Sequence, residues 1–511
     1  MSGEAHSGSG HGVDSTLSPV VGSSVVDTTS RLQGAIDRAA GGGTVRVSAG
    51  NYVCTTLVLR PDMTFRLERG ATIHACEDIT AYPELLRPSD GNKDRQRFHL
   101  IVADECDNLT IEGDGVIDGH GEAFWDPPVR TLMKEGHTRE SLGLRPQIED
   151  DSPFWRERSR RPSPLVDLRN CRNLVIRDIT IRNSPGWTLH PFCCDDVTIR
   201  GITIDNNEYG PNTDGIDVNG CRNLVIAEST VRCGDDAIIL KSTKDARACE
   251  NIVVTGCILE SNCAAIGLGA EVTYAIRNVT VTGCVVPKAL RIVQLEMWEV
   301  GLIENVLISG LTGANMTDIP LERPIYLDIQ HHGRTDPALG RMRNITISGL
   351  SCTTRGRILL TAADGAEIEN VTLRDVTLYY PEIEDPQISV PSSRSNQMSN
   401  DSPVSRAVRA AVVADNVKGL LLDNVVTVWP EAGRPEAGIA AGGDSRGSAA
   451  AGPSDDPAGR FNGDLRKQAS VVPMCPMHAL YLRNCSEVEL QSPRLRGYGG
   501  AERIREAAGE V

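Results

Sequence analysis

Three aspartates in one short stretch carry the first chemical signal in this 511-residue sequence. Asp214 lies in Asn212-Thr213-Asp214-Gly215-Ile216-Asp217, and Asp235 and Asp236 lie in Gly234-Asp235-Asp236-Ala237-Ile238. Both segments are rich in apolar, β-branched residues, and strands disfavour aspartate. Neighbouring carboxylates cannot all ionise without cost, so one of them is expected to hold its proton at a raised pKa. Paired acid and base carboxylates are what glycosidic hydrolysis needs; a separation of about 6.5 to 9.5 Å leaves room for an attacking water and inversion. The alternative is that these aspartates end turns or hold a structural cation.

An internal repeat supplies the elements that must position them. Asn-apolar-x-apolar starts at Asn108, Asn173, Asn223, Asn251, Asn278, Asn305, Asn344 and Asn370, with Asp196 in the same role. Between Asn173 and Asn305 the steps are roughly 23 to 28 residues, each holding two or three short strands. The leucine-rich template of similar period is absent, so the pattern predicts an all-β parallel β-helix in which equivalent residues stack as ladders. Stacked strands lie about 4.8 Å apart. Asp214 and Asp235, about one coil apart, are then expected side by side on one outer face. Asp235 and Asp236 face outward together only if the chain bends at Cys233-Gly234-Asp235. The recurrent asparagines fit an inward-turning, hydrogen-bonded stack, which is favoured over glycosylation at Asn108, Asn278, Asn344 and Asn370.

Of the 15 cysteines, Cys106, Cys171, Cys194, Cys221 and Cys249 recur at one place in the repeat and read as small core fillers in a reducing compartment. A net charge of -16 argues against nucleic acid and anionic membrane as partners. No run reaches the roughly 18 apolar residues of a membrane span, and the N-terminal residues lack the basic and apolar regions of a signal peptide. The expected location is cytoplasmic, or outside the cell if a leader is removed. Helical spacing of Leu32, Ala35, Ile36 and Ala39 within Thr28 to Ala40 predicts one short N-terminal capping helix. The organisation expected is a disordered tail at 1–21, a β-helix over 22–430 with loop insertions at 126–164 and 381–407, a disordered insertion at 431–467, a final coil at 468–497 and a tail at 498–511.

Over most of its length the chain resembles the polygalacturonase family, glycoside hydrolase family 28, as a divergent bacterial-type member. The stretches that carry the resemblance are Gly42 to Val47, Glu112 to Gly119, Asn183 to Pro191 and, above all, Asn212-Thr213-Asp214-Gly215 with Gly234-Asp235-Asp236-Ala237. The resemblance implies a right-handed parallel β-helix and inverting hydrolysis of a pectic or related carbohydrate without a cofactor or metal. Asp235 is then the general acid, Asp214 and Asp236 position and activate water, and Asn212 contacts the sugar or orients the carboxylates.

Two parts of the family pattern fail. Where pectin-cleaving members carry Gly-His-Gly, this chain has Asn262-Cys263-Ala264-Ala265, and where they carry Arg-Ile-Lys it has Arg291-Ile292-Val293. The loss weakens the case for polygalacturonate itself. Glu271 in Gly269-Ala270-Glu271, Arg291 and, more weakly, Glu296 remain candidates for substrate contact, with a surface turn or an ordinary ion pair as the alternatives. Trp187 and Trp298 are candidate sugar platforms, core packing being the alternative. His190, His331 and His332 are unassigned. The 126–164 insertion precedes the catalytic coils, where a wall at one end of a groove would favour exo action. The competing functions are a lyase or epimerase with calcium and an arginine or lysine base, and a carbohydrate-binding β-helix without catalysis.

Overall fold

In a computed structural model of the chain, the residues described are 13–85, 97–143, 152–158, 160–317, 322–331, 338–382, 389–391, 408–430, 471–473, 475–500 and 504–507. The repeat builds coils of three short strands. Ile216–Asn219, Arg222–Ala227 and Thr230–Cys233 complete one coil, and Ile238–Ser242 then lies parallel on Ile216–Asn219 with Ile216 against Ile238. Among the described residues, thirteen parallel strands stack in one sheet, from Leu57–Val58 to Ile504–Ala507, while the other two faces join in a second sheet. This is a right-handed parallel β-helix.

Alternation within each strand explains the core. Ile216, Val218, Leu224, Ile226, Val231, Ile238 and Leu240 point inward and are buried. The five recurrent cysteines are free and buried at one corner. Cys194 Sγ reaches the Leu168 carbonyl at 3.3 Å and Cys221 Sγ the Pro191 carbonyl at 3.2 Å, each on the preceding coil. A small thiol therefore fills the corner and ties it to its neighbour.

The asparagine ladder exists, but it faces outward rather than inward. Asn223, Asn251, Asn278 and Asn305 are exposed, and Asn251 Nδ2 donates to Asn223 Oδ1 at 3.0 Å, Asn278 to Asn251 at 3.0 Å and Asn305 to Asn278 at 3.3 Å. Each has φ between 54° and 60°. That left-handed corner is one which asparagine tolerates among side-chain-bearing residues, so backbone conformation and not burial fixes its position.

Helix α1 (Val25–Ala39) caps the N-terminal end, burying Leu32, Ala35, Ile36 and Ala39, with Ser24 accepting from Asp27 N at the N-cap. Two expected tails contain strands. Ser15–Leu17 pairs with Thr44–Val47, and Ile504–Ala507 extends the thirteen-stranded sheet, because each adds a rung to an otherwise open sheet end. The 431–467 insertion and most of 381–407 lie outside the described residues; within the latter, Ser389–Pro391 pairs with Val471–Pro473. No helix among the described residues is long and apolar enough to cross a membrane.

Candidate active site

The three aspartates meet at one edge of the thirteen-stranded sheet, in the turns that lead into Ile216–Asn219 and Ile238–Ser242. The register places Asp214 opposite Asp236 rather than Asp235: Ile216 pairs with Ile238, and Gly215 N donates to Asp236 O at 2.8 Å. Asp235 occupies the bend one residue earlier. Gly234 permits that bend through close approach, since a Cβ there would lie 2.6 Å from Thr213 Oγ1 and 2.8 Å from the Glu208 carbonyl. Thr213 Oγ1 in turn accepts from Gly234 N at 3.0 Å. The catalytic bend of one coil is thus pressed onto the Asn212-Thr213 turn of the coil before it.

Asp214 is 4% exposed and Asp236 8%, whereas Asp235 is less deeply covered. Asp214 Oδ1 is buried without a hydrogen-bond partner among the described residues. Burial, together with the charges of Asp217, Asp235 and Asp236, pushes Asp214 well above the usual carboxylate range against the opposing charge of Lys241. Burial and then Asp236 raise Asp235 to about 7, although a hydrogen bond from Cys263 and the Lys241 charge oppose the rise. A carboxyl group that holds its proton near neutrality is the acid that a leaving sugar oxygen needs. Asp236 Oδ1 accepts from Ala264 N at 3.0 Å, which fixes its orientation. Asn212, at φ 50°, places Nδ2 3.4 Å from Asp235 Oδ2.

Glu271 reaches the site through an irregularity that the repeat does not foretell. Leu240 pairs with Leu268 but Ser242 with Val272, so the later strand carries two extra residues. A bulge of this kind re-aims side chains. It brings Glu271 Oε2 to 3.0 Å from Lys241 Nζ, and Lys241 also lies 5.1 Å over the Trp187 ring. Burial alone would lower the lysine pKa, but Glu271, Asp217, Asp214 and Asp236 more than reverse this and keep Lys241 protonated. Lys241 and the fully buried Asp217 are site residues that sequence reasoning missed. The available signal was a lone lysine ending the apolar run Ile238-Ile239-Leu240 one coil from Glu271.

Arg291 is buried, with Nη1 2.6 Å from Gln294 Oε1 and 3.7 Å from Cys263 Sγ, and its guanidinium lies over Tyr326. Val293 packs into the core, so its position is not a site position; the outward side chain beside Arg291 is Gln294, which also donates to Glu296 Oε2 at 3.2 Å. Cys263 is drawn to Asp235 and Asp236, whose ligand atoms and its own lie within 4.8 Å of one another. Burial and those two charges hold the thiol well above its ordinary pKa, so a metal there would first have to displace the thiol proton.

Trp298 Nε1 donates to Glu296 Oε1 at 2.9 Å, leaving both residues on the site face of the strand Arg291–Met297 or just beyond its end. His190 is fully buried, its Nδ1 2.9 Å from Asp167 Oδ1, on the strand next to the one that carries Asp217. His331 is half-buried at a strand end, and His332 lies outside the described residues.

The 126–164 insertion is packed against this edge. Arg161, 1% exposed, donates to the Pro185 and Pro211 carbonyls at 2.9 and 2.8 Å and lies 3.4 Å from Asn212 Oδ1. Phe154 meets Tyr209 edge-on at 5.5 Å.

The profile described as Glycosyl hydrolases family 28 matches residues 149–396, which contain every one of these aspartates. Over that span the chain is similar to this family, as a divergent relative. A probable polygalacturonase of Arabidopsis thaliana is 28% identical over 189 residues, 36% of this chain and 35% of that protein. An endo-polygalacturonase of Pectobacterium carotovorum subsp. carotovorum is 24% identical over 367 residues, 68% of this chain and 84% of that protein. The match to the plant relative therefore spans about a third of its length. Among solved structures, a hyperthermoactive exopolygalacturonase from Thermotoga maritima superposes with a TM-score of 0.60 at 22% identity, covering 77% of this chain and 87% of that one. At that identity the likeness establishes the fold.

Proposed function

We propose that this chain is a family 28 glycoside hydrolase that cleaves a pectic or related oligosaccharide with inversion. The observation that carries the reading is the meeting of Asp214, Asp235 and Asp236 from successive coils, with Asp235 holding its proton to about 7. Asp235 protonates the leaving oxygen, and its conjugate base is then spread over a site that already contains Lys241. Asp236, oriented by Ala264 N, and Asp214 hold the water that attacks the opposite face of the sugar. Asn212 keeps Asp235 aimed, and Glu271, Trp187 and Trp298 offer a hydroxyl acceptor and two ring faces to the sugar. Arg291, engaged by Gln294 and Cys263, shapes the pocket from the next coil.

Exo action is part of the proposal. The insertion that supplies Arg161 and Phe154 is docked on the turn holding Asn212, where it would wall one side of the site, and similarity to structures named exopolygalacturonases agrees with exo action. Cleavage of oligosaccharides inside a reducing compartment fits the buried, unpaired thiols. A lyase or epimerase would need an unprotonated lysine or arginine, and the charges around Lys241 hold it in the opposite state.

The test is a panel of defined pectic oligosaccharides followed by anomer analysis of the first product. Inverted product released from one chain end is expected. Retained configuration or unsaturated product would overturn the mechanism, and internal fragments at the earliest times would overturn exo action alone.

A further inference from the structure

Near the N-terminal end, at the same edge of the solenoid as the catalytic turns, two histidines face each other. His74 Nδ1 lies 2.9 Å from His120 Nε2. The outer nitrogen of each ring is already committed. His120 Nδ1 is 3.0 Å from Glu77 Oε1, and a carboxylate can only accept, so that nitrogen carries the proton. His74 Nε2 is 3.0 Å from Asn51 Oδ1, a carbonyl-type acceptor, so it carries the proton of the second ring. In the neutral rings the two facing nitrogens therefore both present lone pairs, a repulsive arrangement that a shared cation relieves.

Asp118 completes the group. Its ligand atom and those of both histidines lie within 4.8 Å of one another, and His120 Nε2 is 3.9 Å from Asp118 Oδ1. Asp118 is 4% exposed, accepts from His120 N and Asn183 Nδ2 on Oδ1 at 3.1 Å each, and accepts from Arg182 Nε on Oδ2 at 2.8 Å. Those donors, against the cost of burial, keep it ionised. Both rings are partly open to solvent, which gives an ion a way in.

We propose that His74, Asp118 and His120 bind one divalent transition-metal ion of the zinc or cobalt class. Two imidazole nitrogens and one carboxylate oxygen are a donor set for such ions, with solvent completing the shell. The Glu77 carboxylate on the far side of His120 is the outer partner that fixes the tautomer and raises the basicity of a ligating imidazole. The bound ion would clip the strand Ala71–Ala75 to the turn after Val116–Asp118. This turn stands three strands before the one that ends at the catalytic bend, roughly 14 Å away at 4.8 Å per strand. The site is thus separate from the carboxylate trio.

The test uses the full chain, stripped with a chelator and titrated with zinc(II) by calorimetry and cobalt(II) by absorption. Expected are one equivalent bound, cobalt bands of a nitrogen and oxygen shell without thiolate charge transfer, and a Tm raised by a few degrees. His74→Ala and His120→Ala should abolish stoichiometric uptake. Glu77→Gln, at an exposed position that leaves the fold intact, should weaken it by about 10-fold or more. No uptake would overturn the proposal, the ring contact then being an ordinary N–H···N bond with the Asn51 amide reversed. Uptake that all three substitutions leave unchanged would overturn it too, as would thiolate charge transfer placing the ion at Cys263.

Discussion

Asp167 and Asp217 occupy equivalent places on the outer face of the thirteen-stranded sheet, with His190 on the strand between them. Both are 0% exposed. Asp167 accepts from Arg169 Nε at 2.8 Å and pairs with His190 Nδ1 at 2.9 Å, and His99 Nε2 stands 3.7 Å away. Burial would raise its pKa, but His99, His190 and Arg169 outweigh it and hold Asp167 ionised far below the usual range. Asp217 has no hydrogen-bond partner on either oxygen among the described residues. Burial drives it well above the usual range; Lys241 and His190 oppose this, and Asp236 and Asp235 add to it. Equal burial has given opposite pKa shifts, and the difference lies in donors. One stretch of the sheet anchors a charge, while the next, where the catalytic aspartates gather, stores protons.

The largest effect that would sharpen this contrast is on turnover. Asp235→Asn removes the transferable proton while preserving shape, and kcat should fall by about 10²- to 10⁴-fold with an unchanged circular dichroism spectrum. Turnover at the wild-type rate would show that the proton-storing region does not do acid catalysis. The next largest effect is on stability. Asp167→Ala leaves Arg169 and two histidines facing each other in the interior, and unfolding free energy should drop by about 3–5 kcal/mol, read from urea denaturation. A loss under ~1 kcal/mol would mean that the anchored charge is not what holds this face together.

These two regions also differ in how far the sequence discloses them. The catalytic aspartates interrupt apolar strands at a one-coil interval, and Leu32, Ala35, Ile36 and Ala39 mark α1 by spacing alone, so both are legible without coordinates. The pairing of Asp214 with Asp236 is not, because a one-residue change of register reassigns every neighbour. Glu271 arrives through a two-residue bulge, and Arg161 reaches Asn212 across about fifty residues of chain; neither has a local signature. The asparagine ladder was visible as a period, but its outward direction depends on positive φ, which the pattern does not encode. The position of Val293 is hard to read for a related reason: Ile292 and Val293 both enter the core, breaking the alternation that would point one of them outward.

A third substitution probes the cation between the two regions. Lys241 lowers the Asp235 pKa, so Lys241→Met should raise it. The alkaline limb of kcat/KM, expected near pH 7 in the wild type because Asp235 must be protonated, should then move to higher pH. A limb that stays in place would remove Lys241 from the electrostatics of the acid.

The smallest effect is the most direct test of the comparison. Because the folded-state pKa of Asp217 is raised, the native chain holds a proton that the unfolded chain releases above about pH 4, so Asp217 favours the native state less as pH rises. Asp217→Asn lacks that titration. Variant and wild type should be nearly equal in stability at pH 4, with the variant gaining by ~1 kcal/mol toward pH 8. For Asp167→Asn the sign reverses: its folded pKa is depressed, so the wild-type advantage is full at neutral pH and shrinks as pH falls below the unfolded value near 4. Thermal unfolding of the Asp217 variant from about pH 4 up to 8, and of the Asp167 variant from about pH 4 down to 2, gives two slopes for the wild-type advantage against pH. Opposite signs are expected, and a common sign would mean that burial, which the two residues share, governs their ionisation after all.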